Sequence, residues 1–150
     1  MPLKTWATND VPTAADFNSM FSDPLTADVV TLQTTTSLSY TDLATVGPAV
    51  TMTMANGQAA LVIISARMRH SAGGGQSAMM SFAVSGATTL SANDVNGCEC
   101  PITDLAGPVV TRATVFIAGA TGSHTFTAKY QVTSGGTATY FNRRIIVKRF

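Results

Sequence analysis

The chain predicts an all-β domain, an antiparallel sandwich or barrel, behind a short N-terminal arm carrying one helix. Three observations lead there. From Val29 onward apolar and polar residues alternate with a period of two. Gly, Pro and Asn-Gly breakers cut that stretch into short segments. The one helix-period pattern is confined to VPTAADFNSMF, which begins at Val11.

Residues 1–10 hold breakers at Pro2 and Asn9-Asp10. Thr13 then fits a helix N-cap, with Asp16 at the third helical position in place of the Glu or Gln of a capping box. Phe17, Met20 and Phe21 recur at i, i+3 and i+4 and form one apolar face. Asp23-Pro24 stops the helix near Ser22. A helix of two or three turns is not stable alone, so this face must dock against something.

Strands are expected near Val29–Thr36, Ala49–Met54, Ala59–Arg69, Ser77–Ser85, Val109–Ala118, His124–Thr133 and Ala138–Lys148. Asn56-Gly57 and Ser134-Gly135-Gly136 read as hairpin turns. ALVIISARM opens as a continuous apolar run, the pattern of a central strand buried on both faces. HTFTAKYQVT alternates Phe126, Ala128, Tyr130 and Val132 against Thr125, Thr127, Lys129 and Gln131, as a half-buried antiparallel strand does. Ser91–Ala106 is the least regular part and reads as a long loop across one end. The division is an arm at 1–27 and a β-sandwich head at 28–150.

The 150 residues suffice for one domain with a sizeable core. Only 11% are charged, against about 25% in ordinary globular chains. Either hydroxyl-rich strand faces meet water, or neighbours cover much of the surface. A net charge of +1 does not call for nucleic acid. The charge is uneven: Asp10, Asp16, Asp23 and Asp28 lie early, while Arg143, Arg144, Lys148 and Arg149 crowd the end, so the two ends either pair with each other, pair with complementary subunits, or stay solvated, the commoner outcome for charged ends. No stretch reads as a signal peptide or a membrane span. The two cysteines, Cys98 and Cys100, form no secreted-type disulfide framework, and folding in a reducing cytoplasm is expected.

The search for chemistry is nearly empty. His70 and His124 sit in no metal signature and read as turn residues. Ser71, His70 and Asp104 make a triad on paper, without a nucleophile elbow. Cys98-Glu99-Cys100 near Asp94 supplies one ligand pair where zinc needs two, so thiols packed under a loop are expected. Gly73-Gly74-Gly75 lacks the Lys-Ser/Thr of a phosphate loop. Met52, Met54, Met68, Met79 and Met80 read as core. Asp42, Asp94, Glu99 and Asp104 are the only carboxylates after residue 30, and nothing pairs them as a glycosidase would require. The expectation is a structural or binding module, not an enzyme, with no cofactor and no metal.

Two stretches carry a resemblance. TWATNDVPTAADFNSMFSDPL, with Trp6, Thr13, Ala14, Ala15, Asp16, Asn18 and Asp23, resembles the leader of small proteins of tailed bacteriophages. SYTDLATVGPAVTMTM, the strands ALVIISARM and SFAVSGATT, and the ending HTFTAKYQVTSGGTATYFNRRIIVKRF resemble a β-sandwich module of phage virion proteins, often those of phages infecting actinobacteria. The Gly-Gly-Thr-Ala-Thr segment before Asn142-Arg143-Arg144 is similar to the last strands of trimeric jelly-roll heads of the C1q/TNF-like kind. The resemblance implies a jelly-roll-like, homotrimeric component of the virion surface, assembled in the host cytoplasm. Its partners would be other virion proteins, of the tail or the major capsid protein, with a host surface glycan as a further partner and no nucleic acid or membrane.

The expected attachment residues are Trp6, Phe17, Met20 and Phe21 in the arm, with Arg143 and Arg144 at the other end. The arm either inserts into a neighbour or folds back on its own sandwich. Three functions follow from these readings: a minor tail protein or short tail-fibre head, a capsid decoration protein or head fibre, and a carbohydrate-binding sandwich. For the last, Trp6, Tyr40, Tyr130 and Tyr140 are the candidate stacking residues.

Overall fold

The computed structural model describes residues 23–71, 75–101 and 107–150, together with residues 9, 11, 13 and 14. Residues 15–22 of the predicted helix and the anchors Trp6, Phe17, Met20 and Phe21 lie outside the described residues.

The described chain is an all-β antiparallel sandwich. Its strands are β1 (Leu25–Val29), β2 (Gln33–Thr35), β3 (Ala49–Met54), β4 (Ala59–His70), β5 (Ala78–Gly86), β6 (Cys98–Cys100), β7 (Val109–Ile117), β8 (Gly122–Val132) and β9 (Ala138–Arg149). One sheet runs β1-β9-β4-β7, with β2 also on β9; the other runs β3-β8-β5-β6. The pairing is nested: β2 with β9, β3 with β8, β4 with β7, β5 with β6. The chain is one long hairpin doubled back on itself and rolled into two layers, a jelly-roll-like arrangement.

That topology corrects two turns. Asn56-Gly57 joins β3 to β4 and Ser134-Gly135-Gly136 joins β8 to β9, and in both cases the two strands lie in different sheets. They are arches from one layer to the other. The same local chemistry serves both uses: Gly57 takes φ +76° and Gly136 φ +107°, a region open to glycine at little cost. The sequence signal reports the bend, whereas the partner of each strand is set by long-range burial.

Inward side chains follow the period of two. Ala60, Val62, Ile64, Ala66 and Met68 of β4 face Met80, Phe82 and Val84 of β5 and Phe126, Ala128 and Tyr130 of β8 in one continuous core. Phe116 meets Phe126 edge-on at 5.2 Å, and the Tyr130 and Tyr140 rings stand 4.8 Å apart. Four of the five expected core methionines are in that cluster; Met79 is buried outside it. β4 is central, but it is fully buried only on its inner face; Leu61 and Ile63 on its outer face are half-buried. The expected strand Val29–Thr36 divides into β1 and β2, and β1 begins at Leu25, within the span expected for the arm. The expected loop Ser91–Ala106 contains a 3-10 turn at Asp94–Asn96 and the short strand β6.

Candidate functional site

The two adjacent arginines of β9 have opposite environments. A bulge separates them from the first half of the strand: Ser65 pairs with Arg144 but Arg67 with Phe141, so Ala66 faces both Asn142 and Arg143. Asn142 takes up the extra residue in a left-handed conformation, φ 51°, which asparagine tolerates better than most side chains. The inward phase therefore changes from Tyr140 to Arg143, Ile145 and Val147. Without the bulge, Asn142 and Arg144 would point inward.

Arg143 is fully buried, so it presents no surface to a partner, contrary to its expected role in attachment. Its guanidinium lies over the Tyr130 ring at 5.4 Å. Nη2 donates to Gln33 Oε1 at 2.9 Å and Nη1 to the Gly47 carbonyl at 3.3 Å, with longer contacts to the carbonyls of Thr31 and Thr45. Gln33 Oε1 also accepts from Thr45 N, and Tyr130 Oη donates to the same Gly47 carbonyl. The arginine thus ties β9 to the chain on both sides of β2. Burial holds the Tyr130 hydroxyl well above the usual tyrosine range, so it stays a donor.

Arg144 is exposed and pairs with Asp28 across the β1–β9 ladder. The hydrogen bond to Asp28 raises the arginine further above its ordinary value. This contact joins the acidic beginning to the basic end within one chain.

The histidines and cysteines pack inside the fold. His124 is no turn residue: it is buried within β8, with Nε2 at 3.0 Å from Thr88 Oγ1 and Nδ1 at 3.0 Å from the Gly122 carbonyl. His70 ends β4 and is also buried. Cys98 and Cys100 are buried free thiols on β6, both turned toward the core, and the Cys100 thiol donates to the Met68 carbonyl at 3.1 Å. Burial pushes the Cys98 thiol up to about 11. No group of three His, Cys, Asp or Glu side chains converges among the described residues. Tyr130 and Tyr140 are buried, which leaves Tyr40 as the described tyrosine able to meet a sugar. It borders a shallow hollow of about 460 Å³ with Lys129 and Gln131. Its hydroxyl donates to Asp94, which also accepts from Gln131 Nε2, and burial followed by that hydrogen bond holds it well above the usual tyrosine range.

Comparison with known proteins assigns no family. No protein-family profile and no curated protein matches the chain. Among solved structures, dimeric latent PorU from Porphyromonas gingivalis aligns with a TM-score of 0.39 and 15% identity. The alignment covers 83% of this chain but only 13% of that one.

One surface escaped the sequence reading. β7 is an edge strand, and its outer residues Val109, Val115 and Ile117 are 67%, 55% and 63% exposed. In register Val115 faces Leu61 and Ile117 faces Ala59 on β4, and Ile63 faces Ile146 on β9, while Val109 faces Arg67 and Ile146 lies between Arg144 and Lys148. The result is an aliphatic patch on the outer face of the five-stranded sheet, bordered by charged side chains.

Proposed function

We propose that this chain is a non-enzymatic structural protein of a tailed-bacteriophage particle, displayed on its surface and held by contacts with neighbouring virion chains. The observation that supports the reading is the aliphatic patch on the outer face of the five-stranded sheet, with Val115 and Ile117 exposed on its edge strand, in a chain with so few charges. Exposed aliphatic patches of that kind mark contact surfaces for other proteins. The placement on a virion is supported by the leader residues Trp6 to Asp23 and their resemblance to phage leaders.

Within that reading the protein is tail-associated, a minor tail protein or short tail-fibre head, with the arm as its attachment. Decoration of the capsid shell is the second reading, favoured by the small compact head. Labelled antibody or electron cryomicroscopy on particles separates them. Density at the tail tip supports the first, density on the shell alone replaces it with the second, and absence from purified particles removes both. Deleting residues 1–24 should abolish loading while the head still folds; a truncated protein that loads normally would remove the arm from the mechanism.

A further inference from the structure

The β7 edge has a consequence that does not depend on the virion reading. In the β4–β7 ladder, Ala118 N–H donates to the Gln58 carbonyl and Met68 N–H to the Pro108 carbonyl. Antiparallel ladders alternate, so the even residues of β7 direct their backbone groups at β4. Val109, Thr111, Ala113, Val115 and Ile117 direct theirs away from the sheet, and all five are exposed. No hydrogen bond on that side ties them to another strand among the described residues. The edge is nine residues long, contains no Pro and carries one charge, Arg112. Sheets ordinarily guard such an edge with lysine, proline, a bulge or a short strand. The far ends of the other sheet are β6, three residues, and β3, whose Thr53 carbonyl accepts from Arg149.

We propose that β7 pairs antiparallel with β7 of a second copy of this chain, about a two-fold axis at Ala113, to make one sheet continuous through both subunits. The sequence of the strand suits its own reverse. Val109 would face Ile117, Thr111 would face Val115 and Ala113 would face its own copy, so each outward-pointing residue meets another. Val110 would face Phe116, and Arg112 would face Thr114 rather than a second Arg112. No like charges are opposed, and the smallest side chain sits where the two copies cross. The aliphatic faces of the two sheets would then join into one surface. The resemblance to trimeric heads implies a three-fold assembly; this edge favours a two-fold.

The full chain should sediment at the mass of two chains at micromolar concentration. Ala113→Pro removes an outward N–H without touching the β4 ladder, and proline is tolerated on a free edge. It should weaken self-association by at least about tenfold, with far-UV circular dichroism and melting of the monomer unchanged. Ala113→Cys tests the register. Residues directly opposite in a hydrogen-bonded pair lie about 5.5 Å apart at Cα, within disulfide range, so mild oxidation should link two copies. Thr111→Cys alone should not link, but should cross-link when mixed with Val115→Cys. A wild-type monomer, a trimer, a dimer that Ala113→Pro leaves intact, or a dimer in which Ala113→Cys does not link would each overturn the proposal.

Discussion

The two sheets face the core in the same way and the outside in opposite ways. On the four-stranded sheet, the outward residues of β3 and β8 are Thr51, Thr53, Thr125, Thr127, Lys129 and Gln131. Four of them bond to each other or to the loops that cross them: Thr51 with Thr125, Lys129 with Asp42, Gln131 with Asp94. Ser81 on the same face is buried beneath Asn93, whose carbonyl accepts from its hydroxyl. The five-stranded sheet offers Leu61, Ile63, Val115 and Ile117 instead. Among the described residues, the outer side chains of one layer are largely bonded within the chain, while the other layer shows an exposed aliphatic patch beside its Arg144–Asp28 pair.

The largest break of that comparison lies between the layers. Phe126 is fully buried and touches both Phe82 and Phe116, so Phe126→Ala should lower unfolding free energy by about 3–5 kcal/mol in urea titration. Next comes Arg143→Met, which keeps an apolar stem but leaves Gln33 Oε1 without this donor. About 2–4 kcal/mol is expected, measured the same way. Alkaline pH tests the β6 edge. The Cys98 thiol is raised from 9.0 to about 11 by burial, so the fold favours its neutral form. That stability is fully present below pH 9 and is lost as pH rises through about 11. The loss is about 2–3 kcal/mol, and a Cys98→Ala variant should show a correspondingly flatter decline. The smallest effects belong to the outer face of the five-stranded sheet. Val115→Thr should change monomer stability by only about 0.5 kcal/mol or less, because its side chain is more than half exposed. Arg144→Ala should leave the urea midpoint of the monomer unchanged, because its ion pair with Asp28 is exposed. A cost above about 1 kcal/mol at Val115 or a clear fall in the midpoint at Arg144 would mean that the outer layer is part of the core.

Much of this was legible in the sequence, for physical reasons. Strands β3, β4, β7, β8 and β9 follow from alternation and Gly breakers, since each buries one face more deeply than the other, whereas β5, buried on both faces over Ala78–Phe82, follows from its apolar run and its breakers. β6 was missed because Cys98-Glu99-Cys100 is too short to show a period. The arches at Asn56-Gly57 and Ser134–Gly136 were read as hairpins because a turn's chemistry does not name the partner strand. Arg143 was placed on the surface because charge alone suggests exposure. A single inserted residue, Asn142, reverses that, and alternation has no sign for it until the pairing is known. The outer face of β7 has no sign in the sequence either: an apolar stripe says that it will be covered, not by what.

The nested pairing also bears on how the chain reaches this state. Ala78 pairs with Cys100, while Gln33 pairs with Tyr140. The inner contacts close short loops, and each one formed shortens the effective loop of the next. Loop closure therefore predicts assembly outward from the β5–β6 bend, with β1 and β2 added last, and the Arg143 cage and the Asp28–Arg144 pair formed in that final step. Kinetic φ-values near zero at Gln33 and Asp28, with high values in β5, are the expected signature; the opposite polarity would mean that the ends of the chain find each other first.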